Sequence, residues 1–448
     1  MTVLIRQFSL IEAQPPSDKK GASIVMQELI QSIVASQISN DEKKKLMASA
    51  AQLLKGSFTQ RSDHNVAAIL KDNKPLLNTL RLSREADQIG YHTEDLTQIR
   101  IRCFDVLLGM IRDIPAVEEL MGHLERDFQH KVKVGKEDEV LYYANLALYE
   151  ILQPNHYEKA LLYGRKALEL AEATEGSVDE RLRILSNLIQ LHVFMGHAEE
   201  TKAYIDKGER IVAHCKSDAY RALFLLAKNA YLLDQAAFQS IIETVRTHTD
   251  LLARQTDYPS MRYFILSQLS EALFRQGALE EARRVALQAE RIARDVHGDK
   301  DEHLIFGKLS VLKGTFLMND ISAFETARTH IEKGIAILDA HFKGPDKHRG
   351  QALAHVRLGQ LLHATKRFQE ARAQYYEAEK ILEKLLREKR VDDLSLLYAQ
   401  LALLGIDSKD EALTQRYLKK HIETFGYEHA RTKEVLWKLV EQGLVVVI

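Results

Sequence analysis

The stretch Gln351–Glu383, QALAHVRLGQLLHATKRFQEARAQYYEAEKILE, decides the fold. Leu358, Gly359 and Leu362 recur at the three-to-four-residue spacing of one helix face. Ala371, Tyr375 and Ala378 do the same after a polar break at Thr365 and Lys366. Each half carries one apolar stripe, and the small residues Gly359, Ala371 and Ala378 fall where two helices must cross closely. The segment reads as a helix–turn–helix hairpin whose distance of approach is set by small side chains.

The skeleton recurs. Ala160, Gly164 and Ala167 follow Leu148, Ile151 and a turn at Pro154, while Thr201, Ile205 and Gly208 follow Leu188 and Gly196. Ala282, Ala286 and Ala289 follow Leu269, Leu273 and Gly277, and Ala327, Ile331 and Gly334 follow Gly314 and Leu317. Taking the first small residue of each second helix as a marker gives Ala160, Thr201, Ser240, Ala282, Ala327, Ala371 and Ala412, at steps of 41, 39, 42, 45, 44 and 41. Unrelated hairpins need not share a length, so a near-constant step points to a repeat array.

This pattern resembles the tetratricopeptide repeat superfamily, in the longer-repeat form of kinesin light chains and of bacterial peptide-sensing regulators. Gly344–His348 also resembles the kinesin-light-chain loop. The resemblance implies an all-α fold, a right-handed α-solenoid of helical hairpins over residues 136–426. Residues 1–19, closed by Pro15-Pro16, read as an irregular arm, and residues 20–135 as an atypical helical region. Its expected helices are Ile24–Ile38, Lys43–Lys55, Asn65–Lys71, Pro75–Ile89, Thr93–Arg112 and Pro115–Val132. Residues 427–448 read as a capping helix bearing Trp437, as the end of a stacked array requires. The strand-prone tail Leu444–Ile448 follows it.

Composition narrows the function. Of 448 residues, 46% are hydrophobic and 28% charged, enough apolar mass for a core and too much for disorder. Lys and Arg number 62 against 63 Asp and Glu, which argues against a globally basic nucleic-acid binder. Ala50–Leu70, with Gly56 at a turn, has the outline of a DNA-binding helix-turn-helix. Residues 41–90, however, hold nine Lys/Arg against six Asp/Glu, a small excess for duplex binding. Cys103 and Cys215 are far apart and form no CxxC pair, consistent with a reducing, cytoplasmic setting. No apolar run approaches the roughly 18 residues that span a bilayer.

Phosphate-loop, dinucleotide, zinc-hydrolase and nucleophile-elbow motifs are absent from the sequence. Among 18 histidines, the helical spacing of His348, His355 and His363 brings no further ligand, so no metal is expected. No catalytic residue, cofactor or membrane association is expected either. Helix phase instead singles out positions one turn off the packing stripe, which would line a concave groove. They are Asn145, Tyr149, Asn187, Gln190, Asn229, Gln268, Glu271, Arg275, Lys308, Thr315, Arg357 and Gln360. Carboxamides both donate and accept, so they suit the backbone of an extended segment. Arg275, Lys308 and Arg357 suit a carboxylate. By resemblance, the peptide-sensing regulators place asparagines in the groove, and Asn145, Asn187 and Asn229 match those positions. The expectation is a non-enzymatic adaptor or scaffold holding a protein or short peptide in its groove. The alternative is a peptide-responsive regulator whose N-terminal helices engage a protein or DNA target. Self-association remains open.

Overall fold

The computed structural model describes residues 11–14, 23–26, 38–58, 74–108, 113–153, 156–174, 177–254, 259–298, 303–318, 320–342, 349–386 and 391–443. Two compact units divide the chain, Met1–Asp138 and Glu139–Ile448.

In the first unit, β1 (Ile11–Gln14) pairs antiparallel with β2 (Ser23–Met26), Ile11 opposite Met26. This corrects two expectations, an irregular arm through residue 19 and a helix beginning at Ile24. Consecutive β-branched residues, Ile24 and Val25, favour an extended backbone over a helical one. Among the described residues four helices follow: α1 (Asn40–Phe58), α2 (Lys74–Gln88), α3 (Glu94–Val106) and α4 (Ile114–Gln129). Asp113 caps α4 by accepting from the Ala116 N–H at 3.2 Å, and Pro115 falls in the first turn, where its missing N–H costs little. The helix expected at Asn65–Lys71 lies outside the described residues.

The second unit stacks seven hairpins. The first three are α5 (Lys136–Leu152) with α6 (Tyr157–Ala173), α7 (Val178–Phe194) with α8 (Ala198–Ile211), and α9 (Asp218–Asp234) with α10 (Phe238–Thr247). After the short α11 (Thr249–Arg254) come α12 (Pro259–Arg275) with α13 (Leu279–His297), and α14 (Leu304–Phe316) with α15 (Phe324–His341). The last two are α16 (Arg349–Ala364) with α17 (Phe368–Leu386), and α18 (Asp392–Ser408) with α19 (Glu411–Phe425). A final helix, α20 (Ala430–Glu441), buries Thr432, Val435 and Leu439. Trp437 lies on its outer face, 66% exposed, with its indole N–H donating to Glu441.

Small residues sit at the helix crossings. Ala160, Thr201, Ala282, Ala327 and Ala371 are fully buried. A Cβ added to Gly314 of α14 would stand 2.6 Å from the Ala327 carbonyl oxygen of α15, so the two backbones touch there. Ser240 and Ala412, by contrast, are exposed. The backbone hydrogen bonds give the correct register. The first helical N–H bond of each second helix comes from Ala160, Thr201, Ile241, Ala282, Ala371 or Thr414. With Ala327 of α15 the steps become 41, 40, 41, 45, 44 and 43, more even than the small-residue markers implied. Ile241 is the exception in size, and it is buried all the same.

The turns obey the same register. Five residues before the marker, Gly196, Ala236, Gly277, Lys366 and Lys409 all hold positive φ, between 54° and 82°. In each case the next residue's N–H reaches back to a carbonyl five positions earlier, such as Ala237 to Leu232 at 2.8 Å. Three of the five positions are not glycine, so the first helix ends there at a cost in backbone strain. Ala236→Gly should therefore raise stability by about 0.5–1 kcal/mol, strain relief outweighing the added chain entropy. A denaturant midpoint below that of the parent protein would contradict this account of the turn.

Candidate functional site

The inner positions lie on the first helices of the hairpins, α5, α7, α9, α12, α14 and α16. These helices lie side by side, and their contacts decide what the polar residues can do. Gln268 of α12 donates its amide N–H to the Leu226 carbonyl of α9 at 3.1 Å, and Arg183 of α7 donates to the Asn145 oxygen of α5 at 3.3 Å. A position one turn off the hairpin stripe therefore meets the neighbouring first helix before it meets solvent. Asn145 and Asn229 are fully buried, which corrects the expectation of a row of solvated carboxamides. Tyr149, Asn187, Gln190, Gln268 and Gln360 are half-buried, and Thr315 is buried with its hydroxyl donating to the Val311 carbonyl. Asn187 also edges a small apolar cavity among Ala144, Ala160, Gly164 and Leu188, between α5, α6 and α7.

Burial leaves several of these polar atoms without partners. Among the described residues neither side-chain atom of Asn229 makes a hydrogen bond, nor does the Asn145 Nδ2 or the Gln268 Oε1. An unmatched buried donor or acceptor costs about 1–3 kcal/mol.

Farther along, five of the singled-out residues converge. Glu271 of α12 lies 3.8 Å from Arg275 one turn on, and 3.5 Å from Arg357 of α16. Arg357 also donates to Gln360 Oε1 at 3.0 Å. Lys308 of α14 places its ammonium 5.6 Å from the Phe264 ring centroid and interacts with the charge of Glu271. Lys308 is solvent-exposed, yet the surrounding protein desolvates it and lowers its pKa against the pull of Glu271. Arg357 is pushed down to about 10, first by burial and then by Arg275.

A second cluster was not singled out from the sequence. Arg349, at the start of α16, pairs with Asp234 of α9, with Asp393 of α18 at 2.5 Å, and with the Val193 carbonyl of α7 at 3.3 Å. Burial works against its charge, but Asp393 and Asp234 outweigh that and hold the guanidinium above its usual range. Asp234 is raised, by burial first, whereas Asp393 is lowered because Arg349 overcomes its desolvation. These contacts thus link α7 and α9 to α16 and α18. The only sequence signal was the acidic pair Asp392-Asp393, which by itself reads as an ordinary first helical turn.

Of the histidines singled out by spacing, the two described ones have different partners. His355 contacts Gln374, His363 contacts Asp407 at 2.9 Å, and His348 lies outside the described residues. His192, His197 and Glu200 do converge where α7 turns into α8, their ligand atoms within 4.8 Å of one another, and could hold a metal ion. Their spacing crosses a turn, so no single-helix pattern discloses it. Cys103 and Cys215 are buried, and desolvation pushes both thiols up, Cys215 to about 12, far from nucleophilic reactivity. No described helix is long and apolar enough to cross a membrane.

The sequence matches no family profile and no curated protein. Folds are another matter. The Rap protein complexed with competence and sporulation factor superposes with a TM-score of 0.53 at 10% identity, over 88% of this chain and 99% of that one. NprR in complex with its cognate peptide NprX gives 0.52 at 16% identity, over 83% and 98%. The fold is tetratricopeptide-like. A signal-transduction ATPase of Pyrococcus horikoshii with a tetratricopeptide repeat sensor adds 0.50 at 16% identity, over 99% of this chain and 59% of that one. Identities this low speak for the shared architecture alone.

Proposed function

We propose that the chain is a non-enzymatic adaptor that holds a protein or peptide segment along the inner face of its hairpin array. The supporting observation is the row of half-buried carboxamides on the first helices, Asn187 and Gln190 of α7, Gln268 of α12 and Gln360 of α16. Half-buried amides remain within reach of an entering segment, and a carboxamide can both donate to and accept from its peptide backbone. Two of the proteins sharing the fold were solved with a peptide or factor bound, which agrees with this reading.

The test separates stability from binding. Asn187→Leu, at a half-buried position, should change stability by less than about 1 kcal/mol. It should also weaken capture of peptides from a displayed random hexapeptide library about tenfold or more. Unchanged capture would remove Asn187 from the binding surface.

A second reading, a peptide-responsive regulator, is favoured by the Arg349 bridge. A segment entering the hollow competes with Asp234 and Asp393 for space and charge. Small-angle scattering should then show a change of dimensions when a captured peptide is added. An identical curve with and without peptide leaves the adaptor reading only.

A further inference from the structure

Three cations stand on three successive first helices around Glu271. Arg275 and Arg357 pair with it at 3.8 and 3.5 Å, longer than the roughly 2.7–2.9 Å of a close charge-assisted bond, and Lys308, on the helix between theirs, feels the same charge. The Arg275 Nε is buried without a hydrogen bond. Its other ion pair, 3.7 Å to Asp392, is to a carboxylate already held by Arg431 at 2.6 Å. Arg349 makes the contrast, with both Asp234 and Asp393 in close contact. Around Glu271 positive charge is in excess and loosely engaged.

We propose that Arg275, Lys308 and Arg357 form the seat for a carboxylate carried by the bound segment. This deepens the adaptor reading and rests on it. Glu271 is the resident anion that keeps the three cations from repelling one another while the seat is empty of ligand. An arriving carboxylate takes a bidentate place on Arg357 or Arg275, and Lys308, reachable from solvent, completes the cage. Because these groups are desolvated already, the incoming charge gains more here than at an open surface. The carboxylate could belong to an aspartate or glutamate side chain or to the segment's own C-terminus. Both share one chemistry, and the experiment tells them apart.

Two displayed hexapeptide libraries serve as probes against the full-length protein, one ending in a free carboxylate and one followed by a constant tail. Enrichment confined to the free-ended library identifies the C-terminus, whereas enrichment of acidic residues in both identifies a side chain. For the side-chain case, changing the enriched acid to its amide should weaken binding to the parent protein tenfold or more. The same change should matter less than twofold to Arg357→Gln, and Lys308→Met, at a solvent-reachable position, should lose at least threefold. Glu271→Gln, which removes the competing anion, should tighten capture severalfold. Peptides that bind the parent protein and both cation variants equally overturn the carboxylate seat and leave the adaptor reading standing. Failure of both libraries to enrich any sequence overturns the adaptor reading and the seat with it.

Discussion

Asp127→Ala is expected to lower the stability of the first unit by about 3–5 kcal/mol. Asp127 and Arg100 are both fully buried, their side chains 2.6 Å apart. Asp127 also accepts from the Thr97 hydroxyl at 2.9 Å and faces His92 Nδ1 at 2.7 Å. Arg100 donates to the Ser83 hydroxyl and carbonyl and to Asp87 at 2.7 Å. Asp87 in turn meets His123 and Arg126. Burial would raise the Asp87 carboxyl, but His123, Arg100 and Arg126 together hold it below the usual range. One network thus bolts α2, α3 and α4 together. Removing Asp127 strands a guanidinium in a dry interior with one carboxylate in place of two. Hydrogen exchange should show the loss in the amides of α2 to α4. If Asp127→Ala costs under 1 kcal/mol while Asp127→Asn behaves identically, the network is decoration.

The hairpins were legible because their physics is local. A 3.6-residue apolar stripe, a turn and a small residue at a crossing are all written within about 35 positions, as in Gln351–Glu383. The register was less legible. Ser240 and Ala412 were picked for being small, but what repeats is the turn, with its positive φ at Ala236 and Lys409 and the hydrogen bond that follows. Side-chain size is one way of permitting a crossing. Thr414, against Gly405, is another.

The inner face divides in the same way. Helix phase placed Glu271, Arg275, Lys308, Arg357 and Gln360 on one inner face because each sits one turn off its own stripe, but that they cluster emerges only from the packed structure. It did not foresee that Asn145 and Asn229 would be buried, since that depends on how closely adjacent first helices pack. Arg349 was missed for a different reason. Its partners lie 115 and 44 positions away, and nothing local marks a residue that bridges hairpins. The Arg100 network was missed likewise: a charged residue inside a helical pattern reads as solvated unless its distant partners are known.

Acidification should weaken the second unit well before most of its carboxylates titrate. His421 of α19 is 1% exposed, its Nε2 3.0 Å from the Ser395 hydroxyl of α18 and its Nδ1 2.8 Å from the Thr432 hydroxyl of α20. It helps tie the final helix to the last hairpin, beside the Arg431–Asp392 and Lys438–Asp407 pairs. Burial, and then the nearby His429 and Arg431, push its pKa down to about 4. His192, also fully buried, is pushed down to about 4 by burial and then by His197 and Arg165. An unfolded histidine takes up its proton near pH 6.5, whereas these two stay neutral in the fold until about pH 4. Unfolding therefore takes up protons across that window, and stability falls as the pH drops through it, by about 1.4 kcal/mol per unit for each ring. Between pH 6.5 and 4 each histidine accounts for roughly 3 kcal/mol, enough to abolish a marginal fold. His421→Gln keeps an amide to face the two hydroxyls and has no proton to take up. Its stability at neutral pH should be modestly lower, but its slope between pH 6.5 and 4.5 should be shallower by about 1.4 kcal/mol per unit. Equal slopes for the parent protein and His421→Gln would mean that the ring is not held neutral. In that case the attachment of α20 does not depend on its burial, and the hydroxyl pair around it serves only to fill space.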